Sequence, residues 1–141
     1  MPEQRYWDAC VFLSYINEYA GRMPILDALF DEAKEGRFEI VTSTLSIVEV
    51  AYGLIEQKSG SLAPEIEERI SQLWKPGSPV KLAEFYRHIA EDARDLIRTS
   101  VSRSWTGLKP ADAIHLATAR RLGVAEANTY DPIWSRYAAE W

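Results

Sequence analysis

The chain has 141 residues, 47% hydrophobic and 11% aromatic, the size of one ordinary domain with room for a core. Its 16 Lys+Arg against 21 Asp+Glu leave a formal charge of −5, which excludes a wholesale basic surface for nucleic acid; a polyanion has to be met by a local patch or through metal ions. The single cysteine, Cys10, excludes an intramolecular disulfide, and no signal-peptide pattern or bilayer-length apolar run is evident, so a soluble, cytoplasmic protein is expected.

Taken in order, Arg5 to Asp8 reads as a short strand that runs into a helix, "ACVFLSYINEY", at Asp8. "MPILDALFDEAKEGR" is helical, with Ile25, Leu26, Leu29, Phe30 and Ala33 on one side, and Phe38 to Thr42 is apolar, β-branched and short enough for a strand. "TLSIVEVAYGLIEQK" and "APEIEERISQLW" follow as helices, the second starting at Pro64, and "KPGSP" is a break. After Val80 a long helix is expected over "EFYRHIAEDARDLIRTSVS". "LKPADAIHLATARRLG" is the clearest helix, opened by Lys109 and Pro110 and closed by Gly123. Val124 to Asn128 is a weak strand, and a short helix is expected from Pro132 onward.

Strands alternating with helices call for a parallel sheet covered on its faces, because a parallel pair needs a crossover. Ligands of such sheets sit beyond the carboxyl ends of the strands. Four acids fall there: Asp8 after the first strand, Glu49 one to two turns into the helix after the second, Asp112 in the first turn of its helix, and Asp131 after the last strand. Each also has a structural use. Asp8 suits a helix cap, and Asp131 before Pro132 is a cap-plus-proline pattern. Asp112 would gain about 0.3 to 1 kcal/mol from the helix dipole. Glu49 completes a capping box with Ser46, S-I-V-E, although Ser43 or Thr44 is an equally good start to that helix.

Four convergent carboxylates permit chemistry that single caps do not. Mg²⁺ or Mn²⁺ prefers hard oxygen ligands, offsets repulsion between acids and a polyanion, lowers the pKa of a bound water and stabilises a leaving oxygen. An acidic protein can then bind RNA, with Lys109, Arg120, Arg121, Arg94, Arg98 and Arg103 either as local phosphate contacts or as solvated helix faces.

The segments "YWDACVFLSYI", "TSTLSIVEVAYG", "LKPADAIHLATA" and "NTYDPIW" resemble, in order and approximate spacing, the PIN domain and particularly the VapC-type toxins. The third is the most specific, since Asp112, Ala113, His115, Leu116, Ala117, Thr118 and Ala119 all fit. The resemblance spans nearly the whole chain. It implies a single domain with a three-layer α/β/α fold around a short central parallel sheet. It also implies a ribonuclease using Mg²⁺ or Mn²⁺, commonly dimeric and neutralised by an antitoxin protein. Carried over position by position, Asp8, Glu49, Asp112 and Asp131 are the metal ligands or acids close to them. Thr129 is a hydrogen-bonding support. His115 is either a proton-transfer group or a packed histidine.

Two departures accompany the resemblance. Where the family often carries Ser or Thr just after its first Asp, this chain has Ala9 and Cys10, and it stops at "YAAEW" where members usually continue into a final strand. Glu56 and Glu126 are further acids, read as surface residues. A phosphatase of the haloacid dehalogenase type needs a second acid two residues after its first aspartate, and that place holds Cys10. The remaining alternative is a non-catalytic PIN-like module that binds RNA or protein.

Overall fold

The computed structural model describes residues 2–18, 21–57 (side chains to 53), 63–104, 108–132 and 134. Along the chain these form β1 (Glu3–Trp7), α1 (Ala9–Ile16), α2 (Met23–Lys34), β2 (Phe38–Ser43), α3 (Leu45–Gln57), α4 (Pro64–Trp74), β3 (Val80–Ala83), α5 (Arg87–Ser102), α6 (Pro110–Leu122) and β4 (Glu126–Asn128). The strands make one parallel sheet in the order β3-β2-β1-β4, with Tyr6 level with Val41 on one side and Ala127 on the other. The chain builds outward from β1 to β3 and then returns to β1's other edge with β4. The strand order therefore reverses between β1 and β4, where a crevice opens at the carboxyl ends.

Alternation along the central strands supplies two cores. Trp7 and Ile40 face α1, α2 and α4 with Phe12, Phe30 and Leu73. Tyr6 and Val41 face α5 and α6 with Ile89, Leu96 and Leu116. A one-residue slip of β1 would exchange Tyr6 and Trp7 between them, so the register is strongly specified. The result is the expected three-layer α/β/α arrangement around a short parallel sheet. Among the described residues no helix is long and apolar enough to cross a membrane.

The structure departs from the expectations in five places. Val80–Ala83 is a strand, not the lead-in to a helix. Only Val80 is buried in it, and its pairing with β2, Ile40 opposite Val80, is invisible locally. The long helix consequently starts at Arg87 rather than Glu84, with Tyr86 extended at its N-cap. The S-I-V-E capping box does not form: α3 opens at Leu45, whose amide donates to Ser43 Oγ at 3.1 Å. Ser46 is buried beside Thr42, Oγ to Oγ1 2.7 Å. The first and second helices end at Ile16 and Lys34, earlier than the apolar pattern suggests. Pro132 and Trp134 form a short turn, and the rest of the expected terminal helix, like any final strand, lies outside the described residues.

Candidate active site

Asp8 is where β1 ends and α1 begins. It caps α1, accepting at Oδ1 from the Val11 amide at 3.3 Å, but this is only part of its bonding. Cys10 Sγ donates to the same oxygen at 2.8 Å, and Thr129 Oγ1 donates to Oδ2 at 2.5 Å. Thr129 follows β4, the strand beside β1, and its hydroxyl also accepts from the Asp131 amide at 3.0 Å. The Tyr130 amide donates to Cys10 Sγ at 3.3 Å, so the β4 exit is stitched to the β1 exit. Asp8 is 5% exposed; burial pushes its carboxyl above the usual range, and the Cys10 and Thr129 hydrogen bonds oppose that rise. The Cys10 thiol is pushed up to about 12, by burial first and by the Asp8 charge second, so it remains a protonated donor.

Asp112 is the third residue of α6, the helix that Pro110 starts and Gly123 stops with a left-handed φ of 64°. Its carboxyl is raised by burial and then by the charge of Asp131, against a lowering hydrogen bond from the Lys109 backbone. That bond back to the N-cap residue is one half of a capping box. The Asp131 and Asp8 charges acting on Asp112 show that the three acids share one field.

Glu49 arrives from α3 and is held from behind. Its Oε1 is in direct contact with His115 Nε2, and His115 Nδ1 lies 2.6 Å from the Tyr6 hydroxyl. Asp8, Glu49, Asp112 and Asp131 thus line one cavity of about 430 Å³, together with Cys10 and His115. A larger cavity of about 850 Å³ lies between Phe30, Phe38, Leu73 and Pro79, at the opposite ends of the strands, and among the described residues Glu39 is the acid that lines it. Volume is therefore a poor guide here; the chemistry gathers in the smaller space.

Among the described residues no group of three or more His, Cys, Asp or Glu side chains is already arranged to hold a metal ion. The donor set nonetheless suits one kind of cation. Both His115 nitrogens are engaged and the Cys10 thiol keeps its proton, which leaves carboxylate oxygens, the ligands of Mg²⁺ and Mn²⁺. Burial raises Asp112 first, and the Asp131 repulsion that adds to it is what a cation relieves.

The basic candidates are dispersed. Lys109 is exposed at the α6 N-cap, three residues from Asp112. Arg120 and Arg121 are in the last turn of α6, about 13 Å further along its axis at ~1.5 Å per residue. Arg121 pairs with Asp92, Nε to Oδ2 2.5 Å, and Arg94 with Asp95 at 3.1 Å. Arg98 and Arg103 are exposed on or just after α5. Glu126 is exposed and pairs with Arg5 at 2.7 Å, while the Glu56 side chain lies outside the described residues. Arg22 was not anticipated: its guanidinium lies 3.7 Å from the Tyr130 ring centroid and donates to Ser14 Oγ at 2.8 Å. Cys10 and Tyr6 were likewise missed as supports. Only Cys10, two residues after Asp8, carried any local signal.

A family model described as the PIN domain matches residues 5–140. The chain belongs to the PIN domain family. This PIN domain is similar in fold to the Mycobacterium tuberculosis toxin VapC20, whose description is cleavage of the sarcin-ricin loop. That match has a TM-score of 0.73 and 15% identity over 95% of each chain. It is also similar to VapBC2 from Rickettsia felis, solved bound to a DNA fragment from their promoter, with a TM-score of 0.72 and 15% identity over 96% of this chain and 93% of that one. No curated protein matches the chain in sequence. At such identities the likeness is one of fold, and within it this PIN domain carries Cys10 where the family pattern often has Ser or Thr.

Proposed function

We propose that this PIN domain is a Mg²⁺- or Mn²⁺-dependent ribonuclease, a single-domain cytoplasmic enzyme and the toxin of a type II toxin–antitoxin pair. The observation that carries the reading is the meeting of Asp8, Glu49, Asp112 and Asp131, from four separate chain segments, around one cavity at the strand ends. The family membership supports it, since PIN nucleases generally use divalent metal ions, and the fold shared with VapC20, described as a sarcin-ricin loop cleaving toxin, supports the toxin reading. An antitoxin protein partner and a homodimer are part of the same proposal.

When bound, the divalent ion supplies neutralisation of the phosphate and activation of water for in-line displacement. The chain's own residues prepare for it. Asp8 is oriented by three donors, so its carboxylate is set before any ligand arrives. The Lys109 backbone and the amino end of α6 favour the charged form of Asp112, opposing the rise caused by burial and by Asp131. Lys109 meets a phosphate of the incoming strand beside the acids.

The test is cleavage of a structured RNA panel by purified protein with Mg²⁺, Mn²⁺ or chelator, alongside Asp8→Asn and Asp112→Asn. Metal-dependent cleavage that both substitutions abolish is expected. No cleavage together with no metal binding by calorimetry would overturn the reading in favour of a non-catalytic module.

A further inference from the structure

Behind the acid cavity runs a buried chain of hydrogen bonds that joins the sheet to α6 and α3. Its polarity follows from the groups in it. The Ser43 amide donates to the Tyr6 hydroxyl at 3.2 Å, so that oxygen is already an acceptor. The wholly buried Tyr6 phenol has one proton to donate. His115 Nδ1 lies 2.6 Å away, within reach of that proton. A neutral imidazole accepting at Nδ1 carries its hydrogen on Nε2, and Nε2 meets Glu49 Oε1. The ring is 2% exposed and packs edge-on against Tyr6, at 5.7 Å between centroids. Tyr6 in turn is locked in the central strand opposite Val41.

We infer that His115, fixed in its Nε2–H tautomer by Tyr6, is the positioning residue for Glu49, holding one carboxylate oxygen so that the other is presented to a divalent cation in the cavity. The inference rests on the metal-dependent reading above. It separates two roles open to a histidine at this place: with both nitrogens engaged, the ring has no site left for exchanging protons with substrate. It also explains why a glutamate, with more freedom than the three aspartates, can serve in a rigid site. Its rotamer is chosen before the ion arrives.

The test uses the full chain in three measurements. Nitrogen-15 imidazole spectra of the metal-free protein are expected to show His115 as the Nε2–H tautomer, His88 being the only other histidine. Calorimetry with Mn²⁺ is expected to show binding weakened roughly tenfold or more in His115→Asn, whose amide is too short to reach Glu49. In His115→Gln, which returns an amide nitrogen to the Nε2 place, affinity recovers to within about threefold. A Glu49→Gln background should erase the effect of His115→Asn, because the histidine acts through that carboxylate. If His115→Asn does not fold, Tyr6→Phe takes its place, with a mixture of tautomers and weakened Mn²⁺ binding expected. Wild-type Mn²⁺ affinity in a folded His115→Asn or Tyr6→Phe variant, or an Nδ1–H tautomer in the wild type, would overturn the inference. Wild-type protein that neither binds Mn²⁺ nor cleaves RNA instead overturns the nuclease reading, and the tautomer result then decides the relay alone.

Discussion

Cys10 donates its thiol hydrogen to Oδ1 of Asp8 across 2.8 Å, taking the place of a hydroxyl beside the first acid of the site. Because burial and the Asp8 charge push the thiol up to about 12, it works as a neutral donor and not as a nucleophile. Cys10→Ser is expected to keep metal-dependent cleavage within about threefold of wild type. Cys10→Ala, which strips a donor from a buried carboxylate, is expected to lower it by roughly 10- to 100-fold. Alkylation at pH 8.5 should be much slower than for free cysteine; rapid labelling of the folded protein would count against this account.

Thr129 reaches Asp8 Oδ2 from the neighbouring strand exit and also receives the Asp131 amide at 3.0 Å. Thr129→Val keeps the shape and removes both bonds. Loss of activity by roughly 10- to 100-fold is expected, together with destabilisation of about 1–3 kcal/mol. Thr129→Ser should restore both. Parallel cleavage assays and urea melts check this, and an active Val variant would remove Thr129 from the site.

Asp112 contributes to stability with a definite sign. Its folded-state carboxyl lies above the ordinary 3.8, through burial and then the Asp131 charge, so between those two values the folded protein binds more protons than the unfolded. The favourable contribution is complete below 3.8 and is lost as pH rises through the raised value. At neutral pH without metal the charged acid is therefore a liability. Asp112→Asn is expected to abolish cleavage and yet raise the melting temperature in chelator at pH 7 by a few degrees, with the gain shrinking in acid. A lower melting temperature than wild type at pH 7 would contradict the sign.

Trp7 is wholly buried, and its indole N–H donates to Asn128 Oδ1 at 3.0 Å, tying β1 to β4 beside the switch point. Asn128→Ala leaves that donor without its partner, for a loss of about 1–3 kcal/mol. The urea midpoint should fall with an unchanged slope, since the surface exposed on unfolding is the same. An unaltered midpoint would mean that the indole finds another acceptor.

The acidic balance, −5 overall, makes RNA affinity depend on the cation and on salt. Filter binding with Mn²⁺ is expected to exceed binding in chelator and to weaken steeply as salt rises. Tight, salt-insensitive binding in chelator would point to a binding module instead.

Features that act within a few residues were legible in the sequence. Pro110 and Gly123 bound α6, Pro64 starts α4, and the β-branched run of β2 is a strand, because caps, proline and periodicity report their own neighbourhood. The α/β alternation placed four acids at strand exits for the same reason. The tertiary structure alone decided the rest. Val80–Ala83 is a strand only because β2 offers it an edge, and Ser46 is no cap because it is buried with its hydroxyl against Thr42. Thr129 meets Asp8 across 121 positions and Tyr6 meets His115 across 109, through the pairing of β1 with β4 and the packing of α6 on the sheet. Hydrogen bonds between residues so far apart are set by strand order and register. Local patterns do not encode either, and that is why the acids, with Thr129 and His115 as candidates beside them, could be read from the chain while the partner that each support meets could not.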